Sequence, residues 1–384
     1  MSETTSEAAL DGLLREKAVV VVCGSGGVGK TTLSAGLALR AARLGRRAIV
    51  CTIDPARRLA DSLGIDLEQE RIAEIPLGDG AVGRLHATML DSKRTFDRLV
   101  QRHAASPEAA ERILANRIYQ RISSQVSGVQ EYMAMETLHE LHEGGEYDLI
   151  VLDTPPTRHA IDFLTAPERM AKILDDSSLQ WILRPESVPR RFTFGFMRKG
   201  MEKVAKKIDE LMGMQVLHDL AEFFRAFDGM YAGFGERSRA VQALFRDDRT
   251  AFVVATSPEE NPLREAAFLA VRMRDESLPC SAFIVNRYHA PLLAGEEREA
   301  LTQALAAFEG DRAADPGLSE LLAALQRHEA IAAADRDRIA ARLDHHRAGA
   351  TLCLVPRFAE AVTTLDGLDA VARTMEAESD GRDT

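Results

Sequence analysis

The 384-residue sequence is poor in cysteine, lacks long apolar runs and carries no excess of positive charge. Cys23, Cys51, Cys280 and Cys353 are its four thiols; no two form a C-x-x-C pair, and each lies in or beside an apolar, strand-like run. A zinc clip or iron–sulfur cluster would need closer ligand spacing or an intersubunit arrangement, so four reduced, buried core thiols are expected. No apolar run approaches the ~20 residues that a membrane-spanning helix needs. The polar, acidic opening MSETTSEAALDGLLREK has no apolar signal core. A soluble, cytoplasmic protein with no integral membrane segment is expected. Lys and Arg total 48 against 59 Asp and Glu, a formal net charge of −11 at pH 7. Such a surface repels polyphosphate, and no nucleic-acid partner is expected. The chain also lacks an internal repeat and any long Pro- or Ser-rich linker.

Hydrophobic residues make up 46% of the chain, ample for a packed interior. Apolar, β-branched runs at Ala18–Cys23, Ala48–Ile53, Asp148–Asp153, Ala251–Thr256 and Ser281–Asn286 read as strands, with Thr351–Val355 a sixth and Arg84–Leu90 a seventh. Continuous rather than alternating apolar runs suit strands buried on both faces. Helical patterns separate them, so the fold class is α/β, a mainly parallel sheet flanked by helices. The chain divides into a polar N-terminal lead (1–16), a main domain (17–375) and a disordered polar tail (376–384). Two helical blocks, about 91–144 and 165–247, read as an α-helical subdomain inserted into the main domain.

The first strand runs into Gly24–Ser25–Gly26–Gly27–Val28–Gly29–Lys30–Thr31–Thr32, which fits G-x-x-x-x-G-K-[ST], and an amphipathic helix follows to Gly45. Glycines let successive backbone N–H groups turn inward around phosphate oxygens. Lys30 is expected to reach the β- and γ-phosphates, and the Thr31 hydroxyl to ligate Mg2+. The expected ligands are therefore a nucleoside triphosphate and Mg2+ in a P-loop NTPase fold. Asp54 follows the second strand. A carboxylate there can position an attacking water or accept its proton, and Asp-Pro before a helical pattern equally reads as a helix cap. Asp153 closes a buried strand, where a carboxylate holds Mg2+ directly or through water. Thr154 to His159 then form a loop near the γ-phosphate.

GSGGVGKTT, TIDPARRLADSLG and VLDTPPTRHAIDFL resemble the P-loop, switch I and switch II of the arsenite-pump and tail-anchored-protein-targeting ATPases, in their bacterial, anion-transporting-ATPase-like branch. The resemblance extends to VATSPEENPLREA, FIVNRYH and LVPRFAEAVTTLDGL and is weakest in the helical blocks. It implies a dimeric ATPase that closes around two nucleotides and couples closure to a client-handling helical subdomain. It assigns Asp54 and Lys30 to catalysis, with Asp54 activating water. It also implies Asp153 near Mg2+, Asn286 as an adenine-reading amide, and Pro356 and Phe358 in the adenine-side loop.

Three departures stand out. Ser25 replaces a lysine that the resemblance implies should reach the partner subunit's nucleotide. Charge supplied in trans to a phosphoryl transition state is worth roughly 10³–10⁵ in rate. The chain therefore either works as a heterodimer with a lysine-bearing paralogue, takes the charge from Arg57 or Arg58, or binds ATP and hydrolyses it poorly as a nucleotide-gated scaffold. The missing C-x-x-C argues against the intersubunit zinc of eukaryotic targeting members. The absence of cysteine from the helical blocks argues against a thiolate arsenite site.

Within those blocks, Met197, Met201, Val204, Ile208 and Leu211 share one helical face, and Leu217, Leu220, Phe223, Phe224, Phe227, Met230 and Phe234 follow. This pattern reads either as a groove for an apolar protein client or peripheral membrane contact, or as an ordinary packed helix. His139, His142, His289, His345 and His346 show no ligand spacing and read as surface or cap residues. A partitioning or division-site ATPase is a further alternative. The acidic C-terminal helix LDGLDAVARTMEAE argues against its membrane-binding form.

Overall fold

The computed structural model describes residues 4–53, 58–63, 72–78, 82–117, 119–120, 123, 129–155, 164–165, 231–278, 280–293, 297, 299–300, 303, 316–347 and 349–377. The chain divides into two compact units, one of residues 1–88, 147–161 and 248–384, the other of 89–146 and 162–247.

The first unit is built on a nine-stranded sheet. Its strands are β1 (Val19–Gly24), β2 (Arg47–Thr52), β3 (Ala73–Ile75), β4 (Arg84–Met89), β5 (Leu149–Asp153), β6 (Thr250–Thr256), β7 (Cys280–Tyr288), β8 (Thr351–Pro356) and β9 (Glu376–Ala377), in the order β3-β4-β2-β5-β1-β6-β7-β8-β9. β1 lies between β5 and β6, parallel to both. β2–β5, β6–β7 and β7–β8 are also parallel, whereas β3–β4 and β8–β9 are antiparallel. Every residue of β1, β5 and β6 is buried. That burial explains the unbroken apolar runs, because a parallel strand covered on both faces has no solvent side to alternate with. The short strands β3 and β9 have too few residues to leave a period in the sequence, and pairing with a neighbour defines them.

Parallel neighbours need crossovers, and helices supply them. α1 (Thr4–Glu16) precedes β1, and α2 (Lys30–Arg43) joins β1 to β2. α3 is Arg58–Leu63, and α2 packs closely enough that a Cβ at Gly36 would lie 2.8 Å from the Met375 side chain. The 1–16 segment is more than a polar lead: Leu10 and Leu14 of α1 are fully buried. Arg40 pairs with Asp11 at 2.6 Å, and Arg46 donates to the carbonyls of Leu14 and Lys17, satisfying acceptors at the helix C-terminus.

In the second unit, α4 (Ser92–His103) starts at Asp91, whose carboxylate accepts from Arg94 N at 2.9 Å. α5 (Pro107–Ala115) starts at Ser106 with proline in its first turn, the expected N-terminal chemistry. α6 (Val129–Glu143) and α7 (Tyr231–Phe245) are joined by Arg237 Nε, 2.7 Å from a carboxylate oxygen of buried Glu136. The 192–214 apolar face, and residues 217–230 after it, lie outside the described residues; Phe234 is buried and edge-on to Tyr132. Among the described residues, no helix is long and apolar enough to cross a membrane.

Candidate functional site

β1 ends in the sheet's centre, and the chain must turn there to enter α2. Gly24 makes that turn at φ 150°, so close to β6 that an added Cβ would lie 2.0 Å from the Ala255 carbonyl oxygen. A backbone atom cannot swing aside as a flexible side chain can, so the position accepts only glycine. Gly29, at φ 90°, precedes the helix and provides no side-chain cap for its first amides. Orphan N–H groups at a helix start, with the positive end of its dipole, form a ready anion site. Gly26 and Gly27 are exposed, Val28 is buried, and Thr32 is half-buried on the first turn of α2.

The side chains around this turn are mutually engaged. Lys30 is buried, and its Nζ donates to the Ser25 carbonyl at 2.8 Å, folding the ammonium back over the loop. Asp153, 1% exposed at the end of β5, accepts from Thr31 Oγ1 at 2.7 Å and from Thr52 Oγ1 at 2.8 Å, both on Oδ2. A buried carboxylate is costly unless donors or a cation compensate it, and here two hydroxyls share one oxygen. The Thr154 hydroxyl donates to the Val22 carbonyl at 2.8 Å, tying the end of β5 to β1.

This oxygen set fits Mg2+, which binds through one or two protein oxygens with substrate phosphates and water completing its octahedron. Thr31 and Asp153 are the residues able to hold it. Among the described residues, no group of three or more His, Cys, Asp or Glu gathers for a metal, so an all-protein cage is absent there.

Ser25 is 6% exposed, and its hydroxyl donates to Glu265 Oε2 at 2.7 Å. Glu265 lies on α8 (Glu260–Asp275), the helix after β6. Ser25 is thus held within its own chain by a carboxylate. Asn286, near the end of β7, donates from Nδ2 to the Val28 carbonyl at 2.8 Å and accepts from Arg287 N at 2.9 Å. Both ends of its amide are engaged, one of them as a brace on the loop. Arg287 has φ 61°, a left-handed value held by this turn, and the β7–β8 register shifts between Asn286 and Tyr288. Pro356 ends β8 opposite Tyr288, and half-buried Phe358 follows, at the same edge of the sheet as Asn286. Cys23 is buried beneath the loop. Burial pushes its thiol up to about 11, against a smaller lowering by Thr154 and Lys30, so it is an inert core thiol.

Asp54, Arg57 and residues 156–159 lie outside the described residues, as does the side chain of Arg58. The structure gathers Ser25, Val28, Gly29, Lys30, Thr31, Asp153 and Asn286. It adds Thr52 and Glu265, which the sequence reading missed. Thr52 had a signal, a hydroxyl at the end of the strand beside Asp153. Glu265 lies in the run VATSPEENPLREA, but its contact with Ser25 spans 240 residues and leaves no local pattern.

The family model for anion-transporting ATPases matches residues 17–305. ATPase ARSA1 of Chlamydomonas reinhardtii is 28% identical over 301 residues, 72% of this chain and 36% of its own. ATPase GET3B of Arabidopsis thaliana is 25% identical over 284 residues, 70% of this chain and 63% of its own. ATPase GET3C of the same plant is 28% identical over 276 residues, 69% of this chain and 65% of its own. The match thus spans less than two thirds of each relative's length.

Proposed function

The chain belongs to the anion-transporting ATPase family, and from that premise we propose that it is a Mg2+-dependent ATPase that hydrolyses ATP to ADP and phosphate. The observation that carries the reading is that Thr31 bonds Asp153 and Lys30 folds onto the Ser25 carbonyl at a helix start with no side-chain cap. Loop amides and Lys30 hold the β- and γ-phosphates, so Lys30 exchanges the Ser25 carbonyl for phosphate oxygen. Thr31 and Asp153 hold Mg2+, which when bound neutralises phosphate charge. Thr52 fixes the rotamer of Asp153. Asp54, assigned from sequence, orients water for attack on the γ-phosphorus; the bond to the ADP oxygen breaks, and the water proton leaves through that carboxylate. Asn286 braces the loop on the adenine side. The working unit is a dimer, a homodimer or a pair with a paralogue, whose cycle acts on a client held by the helical unit. The ATPase names of its relatives support the activity.

A second reading, a nucleotide-gated subunit with little turnover of its own, is favoured by one observation. The residue where a trans-acting lysine is implied is a serine held in cis by Glu265. Calorimetric titration with ATP and Mg2+, paired with phosphate release, separates the two: binding with turnover supports the first, binding without it the second. Lys30→Ala is expected to abolish both signals. No uptake of ATP or ADP at millimolar concentration, with Mg2+ present, refutes both readings.

A further inference from the structure

The first unit contains a histidine pair that the nucleotide reading does not use. His289 lies just beyond β7, and His328 lies on α9 (Pro316–Leu343). Their rings meet edge to face, centroids 6.1 Å apart and planes at 75°. Sequence spacing offered no hint of the pair, because the two residues come from separate elements.

The partners of each ring fix its proton. His289 Nδ1 lies 2.7 Å from Asp335 Oδ2, and Asp335 is 2% exposed, with Arg338 on its other oxygen. An ionised carboxylate only accepts, so Nδ1 carries the proton. His328 Nε2 lies 2.8 Å from the Ala290 carbonyl, which also only accepts, so Nε2 carries the proton there. In the neutral rings the lone pairs fall on His289 Nε2 and His328 Nδ1. Metal-ligating histidines are prepared in this way, with the far N–H given to a carboxylate or a backbone carbonyl. The backbone is held as well: His289 N donates to Asp335 Oδ2 at 3.2 Å, and Leu292 N donates to Glu329 Oε1 at 2.7 Å. The His289 side chain is 24% exposed, so a cation has access from solvent.

We propose that His289 Nε2 and His328 Nδ1 form a two-imidazole site for a divalent transition metal of the zinc, nickel or copper class. Imidazole suits these ions, whereas Mg2+ and Ca2+ prefer oxygen. Among the described residues no third His, Cys, Asp or Glu completes a cluster. Water fills the remaining positions, and the site is weaker than a four-ligand structural one. With metal–nitrogen bonds of about 2.0–2.1 Å, two imidazoles on a tetrahedral ion hold their centroids about 5 Å apart. The centroids therefore close by about 1 Å, and the ring that presents its face turns so that its free nitrogen also aims at the ion. The proposal is independent of the nucleotide reading.

The test is titration of the untagged, chelator-stripped full chain with Zn(II), then Ni(II), followed by calorimetry and by competition with a chromogenic chelator. The expected result is one ion per chain. His289→Gln and His328→Gln each weaken binding at least about tenfold. Asp335→Asn weakens it about 10–100-fold, the usual effect of losing the carboxylate behind a ligand histidine. Thermal melts in chelator check that each variant folds. Should Asp335→Asn fail to fold, His328→Gln on the helix surface decides the matter. No uptake, or the same affinity and stoichiometry in the His289→Gln/His328→Gln double variant, overturns the proposal.

Discussion

Changing Ser25 to lysine asks whether the chain lacks a charge or has replaced it. The Ser25 hydroxyl is 2.7 Å from a Glu265 carboxylate oxygen, so a lysine there meets an acidic partner in its own chain before any other. Magnitudes decide which effect dominates. Glu265 is exposed, and an ion pair in such a setting is worth ~0–1 kcal/mol, about fivefold at most. A positive charge delivered to a phosphoryl transition state from a partner subunit is worth roughly 10³–10⁵ in rate. Capture by Glu265 therefore cannot hide the gain. If the trans lysine that the resemblance implies is what this chain lacks, Ser25→Lys raises turnover by orders of magnitude, and adding Glu265→Gln raises it about fivefold or less. The assay is steady-state phosphate release at saturating ATP and Mg2+ for the wild type, both single variants and the double variant. A Ser25→Lys rate within a few fold of wild type refutes the missing-charge argument. A large gain only in the double variant refutes the weak-capture estimate.

Thr52→Val keeps the side-chain shape while removing one of the two hydroxyls on Asp153 Oδ2. Loss of a buried hydrogen bond to a charged group is expected to cost about 1.5–3 kcal/mol by denaturant unfolding, and to raise the Mg2+ requirement of turnover; a change below about 0.5 kcal/mol refutes the assigned role. Asp54→Asn is expected to keep ATP binding and slow hydrolysis, and hydrolysis at the wild-type rate removes Asp54 from the mechanism. Burial raises the thiols of Cys23 to about 11 and of Cys280 and Cys353 to about 12, from an ordinary 9.0. Above pH 9 the unfolded chain therefore loses thiol protons that the folded chain keeps, so stability falls as pH rises through that window. Cys353→Ala is expected to flatten that fall, and an unchanged slope in urea midpoints counts against it.

Much of the fold was legible because its causes are local. Unbroken β-branched runs reveal strands covered on both faces, and the glycine loop with its lysine and threonine betrays a strand-to-helix turn. β3 and β9 were not legible: strands of three and two residues carry no period. The opening segment read as polar by composition, yet Leu10 and Leu14 on one side of α1 are fully buried.

The sequence by itself determined the strand-to-helix turn from Gly24 to Thr31, because backbone geometry and residue type at consecutive positions are enough to build it. Contacts between remote residues were decided only by the tertiary structure. Glu265 on Ser25, Thr52 on Asp153, Asn286 on the Val28 carbonyl and His289 beside His328 each join separate elements. Sheet order and helix packing set these pairings, and a sequence pattern carries no term for which distant side chains that packing brings within hydrogen-bonding reach.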